Sequence, residues 1–401
     1  MACDLKDFTR PLDAAALLPL LPARPRVLAL GEPTHGEDAL LAVRNHLFRQ
    51  LVEQEGFRTI ALESDCLRAL AVDAYVTTGE GTLDEAMEHG FGHGWGAHDG
   101  NRDLVRWMRA HNEGRPSGEH VRFAGCDGPL EITAAGSPRR ALLELHGLLA
   151  AQVDPGLLPC TAETLDRLLG DDDRWTDPDA MLDPARSVGR SAEARELRVL
   201  TDDLVALLDA QAPHLTAAVP PDAWDHARLY ARTATGLLRY HHAMADPSPA
   251  RMTRLCALRD LMMAQNLLAL AERAPVLVAA HNSHLQRPKS SMTMWQGRVE
   301  WWSAGALVDA RLGAGYAVLA TAVGTLRHRG VDTPPPESVE GLLYGLAEDS
   351  GLVDVERLTA ALGDPPPAPR VSPWFGYAPL DPAHLAALDG LVYVKDVVPR
   401  T

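Results

Sequence analysis

Six short apolar runs punctuate the chain: Val27 to Leu30, Thr59 to Leu62, Val121 to Gly125, Val276 to Ala280, Tyr316 to Thr321 and Leu391 to Val394. Each ends in a polar or glycine-rich turn, and most are followed by apolar residues spaced three and four apart, as on a helix that buries one face. Uninterrupted apolar strands alternating with amphipathic helices predict an α/β fold with a mainly parallel central sheet flanked by helices. The stretch "DALLAVRNHLFRQLVEQEG" has helical spacing and stops at Gly56, so the first unit reads strand, turn, helix, strand, with Glu63 closing the second strand.

Between about Arg139 and Arg273 the pattern changes to long amphipathic segments such as "EARELRVLTDDLVALLDAQAP", without a convincing strand. The chain is therefore expected to comprise an N-terminal α/β part (1–138), a large helical insertion (139–273) and a C-terminal α/β part (274–401) that completes the sheet, together one catalytic unit. The stretch "LGDDDRWTDPDAMLDPARS" inside the insertion reads as a loop, mobile or ordered by a partner. "DTPPPES" and "GDPPPAPRVSPW" read as surface loops of the last third.

Composition narrows the function classes. The chain of 401 residues carries a net charge of -16 and only three lysines, Lys6, Lys289 and Lys395, which argues against a surface built to neutralise nucleic-acid phosphates. The five cysteines, Cys3, Cys66, Cys126, Cys160 and Cys256, are scattered without C-x-x-C spacing, so they read as reduced thiols. "MACDLKDFTRPLDAAALLPLLPARPR" fits neither a signal peptide nor a membrane span. A cytoplasmic protein is expected, a monomer or small homo-oligomer that contacts no membrane.

Ligands of parallel sheets bind beyond the carboxyl ends of the strands, where loops and helix N-termini converge. Those ends are rich in titratable groups: Glu32 and His35 after the first strand, Glu63 and Asp65 after the second, Asp127 after the third, and His281 and His284 after "APVLVAAHNSH". A single such turn is as readily structural as functional, since a carboxylate caps helices and a histidine can be a satisfied core group. Four turns converging on one edge point to an active site. The glycine-rich "HGFGHGWGAHDGNRDLVRWMRAHN" lacks regular ligand spacing, so it reads as a substrate-facing loop presenting His93 and Trp95 rather than a metal site. Ser64 and Ser283 follow strands without the flanking glycines of a nucleophile elbow. No glycine-rich dinucleotide loop opens a helix, so no nucleotide cofactor is expected.

"LGEPTHGEDALLAVRNHLFRQLVEQEGFRTIALESD", "VRFAGCDGP", "RDLMMAQNLLAL" and "VLVAAHNSH" occur in the order and approximate spacing found in the erythromycin esterase family, which the chain resembles over most of its length. The resemblance implies a metal-independent esterase acting on lactones of the macrolide type. It matches Glu32 and His35 to the family's G-E-x-x-H pair, Arg44 to its arginine nine residues on, Glu63 to its second-strand carboxylate, and His281 and His284 to its H-N-x-H turn. The chemistry is coherent: a histidine held by a carboxylate takes a proton from water. His35 is assigned as that base, with Glu32 or Glu63 fixing its tautomer. His281 or His284 is assigned to the oxyanion or the leaving alkoxide, and Arg44 to a carboxylate or the tetrahedral intermediate. Asp127, His93 and Trp95 are expected at the substrate.

The bland rivals are specific: Glu32 caps the following helix, Arg44 is a buried partner of Glu63, Asp127 orients a turn, and Asp260 and Asn266 merely support the edge. The leading expectation is a cofactor-free hydrolase of carboxylic esters or lactones, with a polyketide-like small molecule as substrate and roles in antibiotic inactivation or natural-product tailoring. Three alternatives stand beside it: a non-hydrolytic enzyme using the same base for cyclisation, transesterification or elimination, a metal-dependent hydrolase, and a non-catalytic binding protein.

Overall fold

The computed structural model describes residues 9–399 apart from 132, 133, 295, 296, 347, 363, 364, 373 and 375; Cys3 and Lys6 lie outside the described residues. Its strands are β1 (Thr9–Arg10), β2 (Val27–Glu32), β3 (Thr59–Asp65), β4 (Arg122–Asp127), β5 (Leu130–Glu131), β6 (Ala134–Ala135), β7 (Val276–His281), β8 (Lys289–Met294), β9 (Gly297–Trp302), β10 (Tyr316–Thr325), β11 (Ser350–Val353) and β12 (Gly390–Asp396). Eight of them form one sheet in the order β1-β11-β12-β10-β2-β7-β3-β4. The six from β12 to β4 run parallel, and β1 and β11 close one edge antiparallel. All six apolar runs are these parallel strands. Helices cover both faces, which is why β10 is buried at all ten positions and reads as an unbroken apolar run.

The order of the central strands decides the chemistry. β2 and β3 are consecutive in the chain, yet β7, from some 210 residues further on by subtraction (276 − 65 = 211), is inserted between them. The register places Glu32 beside His281 and Thr59 beside Val276, so the ends of β2, β7 and β3 finish side by side. At the end of β3 the pairing with β4 shifts between Leu62 and Asp65. A bulge of this kind breaks the strict alternation of side chains and re-aims those within it, here Glu63 and Ser64.

Helix Asp38–Glu55 connects β2 to β3 and ends at Gly56, whose φ of 69° closes the last turn. Between β6 and β7 the described residues hold the helices Arg139–Gln152, Ala162–Leu169, Ala192–Ala210, Ala212–Ala218, Pro221–Met244 and Arg251–Ala271. The first five share a core of leucines, including Leu145, Leu149, Leu197, Leu204 and Leu208. Arg251–Ala271 instead packs on the sheet, where Met263, Ala264 and Leu267 join Val276 and Val278. The Asp- and Pro-rich stretch, expected to be mobile or ordered by a partner, is held from within the chain: the Arg251 guanidinium, 2% exposed, donates to the carbonyls of Ala180 and Met181 at 2.7 Å and of Met244 at 2.7 Å. Short-range residue types advertise a loop, but one distant arginine satisfies its carbonyls.

No helix among the described residues is long and apolar enough to cross a membrane. Cys66, Cys126, Cys160 and Cys256 are free thiols.

Candidate active site

β2 ends on Glu32, and the chain turns through Pro33 to Gly36 before the helix at Asp38. Gly36 has φ 78°, and a Cβ there would sit 2.7 Å from the His98 ring, so backbone conformation and space both require glycine. The turn brings His35 back over the strand end, where its Nδ1 lies 2.7 Å from Glu32 Oε1. Glu32 is thus spent on His35. The helix takes its N-cap at Glu37 instead, against the expectation that Glu32 might serve as cap.

On the other side of the ring, His35 Nε2 lies 3.8 Å from Glu63 Oε2. Glu63, 3% exposed, is the hub of the site. Its Oε2 accepts the His281 backbone N–H at 2.8 Å and its Oε1 accepts from Arg259 Nη2 at 2.9 Å, while His284 Nε2 stands 3.4 Å from Oε1. Burial opposes its charge, but His284, His35 and Arg259 outweigh that and hold the carboxyl well below the usual carboxylate range.

The two histidines of the H-N-x-H turn are separated by their partners. His284 Nδ1 lies 2.5 Å from Asp260 Oδ1, and Asp260 Oδ2 accepts from Trp301 Nε1 at 2.6 Å. Burial disfavours the imidazolium, but Asp260 and Glu63 raise the His284 pKa above its ordinary value. His281 Nδ1 accepts the Ser283 N–H at 3.2 Å and meets Ser283 Oγ at 2.7 Å, capping the short helix Asn282–Leu285. Burial first, then the positive charge of His35, push its pKa down to about 3. One turn therefore holds two imidazoles whose pKa values are pushed in opposite directions.

His35 itself is shaped by opposing forces. Burial lowers its pKa, the carboxylates of Glu63 and Glu32 raise it, and the balance lies at about 9. At neutral pH the resting ring is an imidazolium, so the near-neutral base expected from the residue types is displaced upward by having two carboxylates instead of one.

A second histidine station flanks the first. Asp127, fully buried, accepts from Arg259 Nε at 3.0 Å and Nη2 at 2.7 Å, and faces His93 Nε2 at 3.4 Å. His93 Nδ1 lies 2.5 Å from Glu131 Oε2. His93 has φ 56°, the one positive φ outside glycine among the described residues, followed by Gly94 at 71°. Histidine tolerates this region better than most residues, and the two carboxylates hold it there. The Trp95 ring stands 5.0 Å from the His35 ring and 5.7 Å from that of His93.

Against one expectation, Arg44 does not pair with Glu63 or another carboxylate. It is 3% exposed, but its donors go to the Asn45 and Asn101 side-chain oxygens, Nη2 at 2.8 Å to each, and no carboxylate lies within 4 Å among the described residues. Arg259, not Arg44, holds Glu63 and Asp127. Burial lowers the Arg44 pKa to about 10, and Glu32 is close enough to offset part of that. Cys66 and Cys126 stay protonated, because burial pushes the first to about 12 and the second well above its ordinary value.

All nine residues singled out from the sequence belong to this region; Asp260, expected to support the edge, orients His284, and three partners were missed. Arg259 sits in a helix whose register against the sheet no local pattern reveals, and Trp301 lies on the β8–β9 hairpin. Glu131 follows β4 closely enough that a search for carboxylates beyond Asp127 finds it. Among the described residues no group of three or more His, Cys, Asp and Glu side chains converges as metal ligands do.

A mainly parallel sheet whose carboxyl edge gathers coupled histidines and carboxylates defines an α/β scaffold equipped for acid–base chemistry. The chain matches the family described as "Erythromycin esterase" over residues 52–397 and belongs to that family. The matched span begins beyond Glu32, His35 and Arg44. Among solved structures, a Bacillus cereus protein is similar with a TM-score of 0.73 at 19% identity, covering 99% of this chain and 93% of its own. The erythromycin esterase EreC, as a histidine-to-asparagine mutant in its open conformation, is similar with a TM-score of 0.68 at 20% identity, covering 96% and 94%. A succinoglycan biosynthesis protein follows with a TM-score of 0.68 at 16% identity, covering 98% and 96%. At these identities the structural likeness speaks for the fold.

Proposed function

We propose that the protein hydrolyses a carboxylic ester or lactone with water activated by His35, without a metal. The observation that carries this reading is His35 held between two carboxylates, Glu32 at Nδ1 and Glu63 beyond Nε2. In the reactive form Nδ1–H donates to Glu32, and the free Nε2 takes a proton from water as the oxygen attacks the carbonyl. Glu63 then faces the imidazolium it helps to stabilise. With a pKa of about 9, His35 is a strong base present as a minor form, roughly 1% at pH 7.

The remaining groups divide the work by charge. Arg44, a buried cation with no ionic partner within 4 Å among the described residues, supplies positive charge for the tetrahedral oxyanion. His284, oriented by Asp260 and with its pKa raised by that carboxylate and Glu63, returns a proton to the leaving alkoxide. His281 is neutral and caps its helix, so it orients the turn. Arg259 already occupies Glu63 and Asp127, and its fixed charge opposes a divalent cation there. Trp95 and His93 face the substrate with Asp127 behind them.

The test is turnover of erythromycin and of simpler lactones and esters, followed by mass spectrometry on protein dialysed against a chelator. Products heavier by one water, roughly 18 Da, and absent with His35→Ala support the reading. Products of unchanged mass make the reaction an intramolecular rearrangement, and activity lost on chelation but restored by a divalent metal makes it a metal hydrolase.

A further inference from the structure

Away from the active-site histidines, a cleft of about 260 Å³ runs along the edge strand β4, between it and helices Ala69–Thr78, Pro221–Met244 and Arg251–Ala271. Leu70, Phe123, Leu229 and Leu270 supply apolar wall. Five arginines also line it, and three are neutralised by the protein itself: Arg122 by Asp73 and Asp222, Arg228 by Glu272, and Arg273 by Asp222 and Asp225.

The other two are not. Arg58 reaches only the carbonyls of Val52 at 3.5 Å and Phe57 at 3.4 Å. Arg232 donates Nε to Asn266 Oδ1 at 3.3 Å, and Asn266 is itself anchored by its Nδ2 on the Cys126 carbonyl at 3.0 Å. Among the described residues no carboxylate lies within 4 Å of either guanidinium, and the two Nη groups of Arg232 have no protein acceptor. The setting of Arg232 is not that of a solvated surface arginine. Burial, and then the like charge of Arg228, lower its pKa from 12.5 to about 10. Glu272 and Asp225 offset part of this from a distance, but they are spent on Arg228 and Arg273, and a partly buried cation with no carboxylate in contact is destabilising.

We propose that this cleft is a binding site for a small amphiphilic carboxylate, its head group paired with the free Nη edge of Arg232 and its apolar body lying along Leu70, Phe123, Leu229 and Leu270. One planar guanidinium with two parallel N–H donors matches one carboxylate, whereas a phosphate dianion calls for several donors around it. The volume equals that of about nine liquid waters at ~30 Å³ each, enough for a medium-length chain or a single ring system. Arg58, at the start of β3, adds long-range attraction at the other end. The site is independent of the ester-hydrolase reading, since none of its residues touches His35, Glu63 or His284.

Isothermal titration of the full chain with octanoate, octanol and octyl phosphate tests it. Octanoate is expected to bind at one site and raise Tm, with octanol weaker by at least tenfold. Arg232→Met should abolish octanoate binding while leaving the Tm of the free protein equal or higher, since it removes an uncompensated charge. Leu229→Trp, which fills the apolar wall and leaves the charge in place, should weaken octanoate at least tenfold. Absence of octanoate binding in the wild type, equal binding in Arg232→Met, or a lower Tm of the free Arg232→Met protein overturns the proposal. Octyl phosphate binding more tightly than octanoate overturns the carboxylate assignment.

Discussion

The two ends of strands β3 and β4 each hold a buried carboxylate against an arginine, and they are built for different purposes. At the start of the strands, Arg122 grips Asp73 through Nε at 3.0–3.1 Å and Nη2 at 2.6 Å, while Asp73 Oδ1 also accepts the Phe123 N–H at 2.9 Å. Each bonded partner of Asp73 is an arginine or a backbone amide, neither of which exchanges a proton near neutral pH. At the other end, Glu63 is held by Arg259 with the same economy but also faces His35 and His284. Its neighbours are titratable histidines, and their pKa values are driven apart, to about 9 for His35 and about 3 for His281. An arginine–carboxylate pair therefore marks nothing by itself. Titratable groups around a shared carboxylate, pushed in opposite directions by burial and by one another, mark a site.

The comparison breaks most visibly at His35. His35→Ala is expected to lower kcat/KM at least about 100-fold while circular dichroism stays unchanged, because the residue sits in a turn and contributes little packing. A folded variant keeping more than about a tenth of the rate removes the base from the scheme.

At the other end the expected damage is to stability alone. Asp73→Ala leaves Arg122 with only Asp222, which is half exposed, and deprives the edge-strand amide of Phe123 of its acceptor. Urea unfolding should show a loss of about 2–3 kcal/mol, with kcat per folded molecule within about twofold of wild type. A large drop in kcat at unchanged stability would erase the distinction between the two ends.

The finest test is the pH profile. If neutral His35 is the base, kcat/KM rises about tenfold per pH unit below pH 8 and levels off around 9. Glu63→Gln removes the largest charge that raises this pKa and should move the rising limb down by about one unit. A falling limb near 9 would instead make the imidazolium the acting form. The stability linkage has a definite sign: the folded His35 pKa lies above its ordinary 6.5, so its stabilising contribution is present below pH 6.5 and is lost as pH rises through 9. The difference in unfolding free energy between wild type and His35→Ala should shrink over that window.

Much of the site was legible because strand ends in parallel sheets are known places, and Glu32, His35, Glu63, Asp127, His281 and His284 carry chemistry that a core strand has no use for. The failures have a common cause. Arg259 and Asp260 are adjacent on one helix, yet one pairs with Glu63 and Asp127 while the other orients His284. That division depends on how the helix is rotated against β4 and the hairpin. Arg44 was mispaired for the same reason: its position on the helix was clear, but its partner Asn101 comes from folding the helix Asp99–Asn112 beside it.

The sequence by itself determined the alternation of strands and helices, the residues at the strand ends and the family, since periodicity and turn chemistry are local properties written within a few residues. Only the tertiary structure decided that β7 lies between β2 and β3, that two carboxylates rather than one embrace His35, and that the pKa of His281 is lowered while that of His284 is raised. Those outcomes follow from electrostatics between groups far apart in the chain, where a few ångströms of distance and the exclusion of water set the sign of the shift.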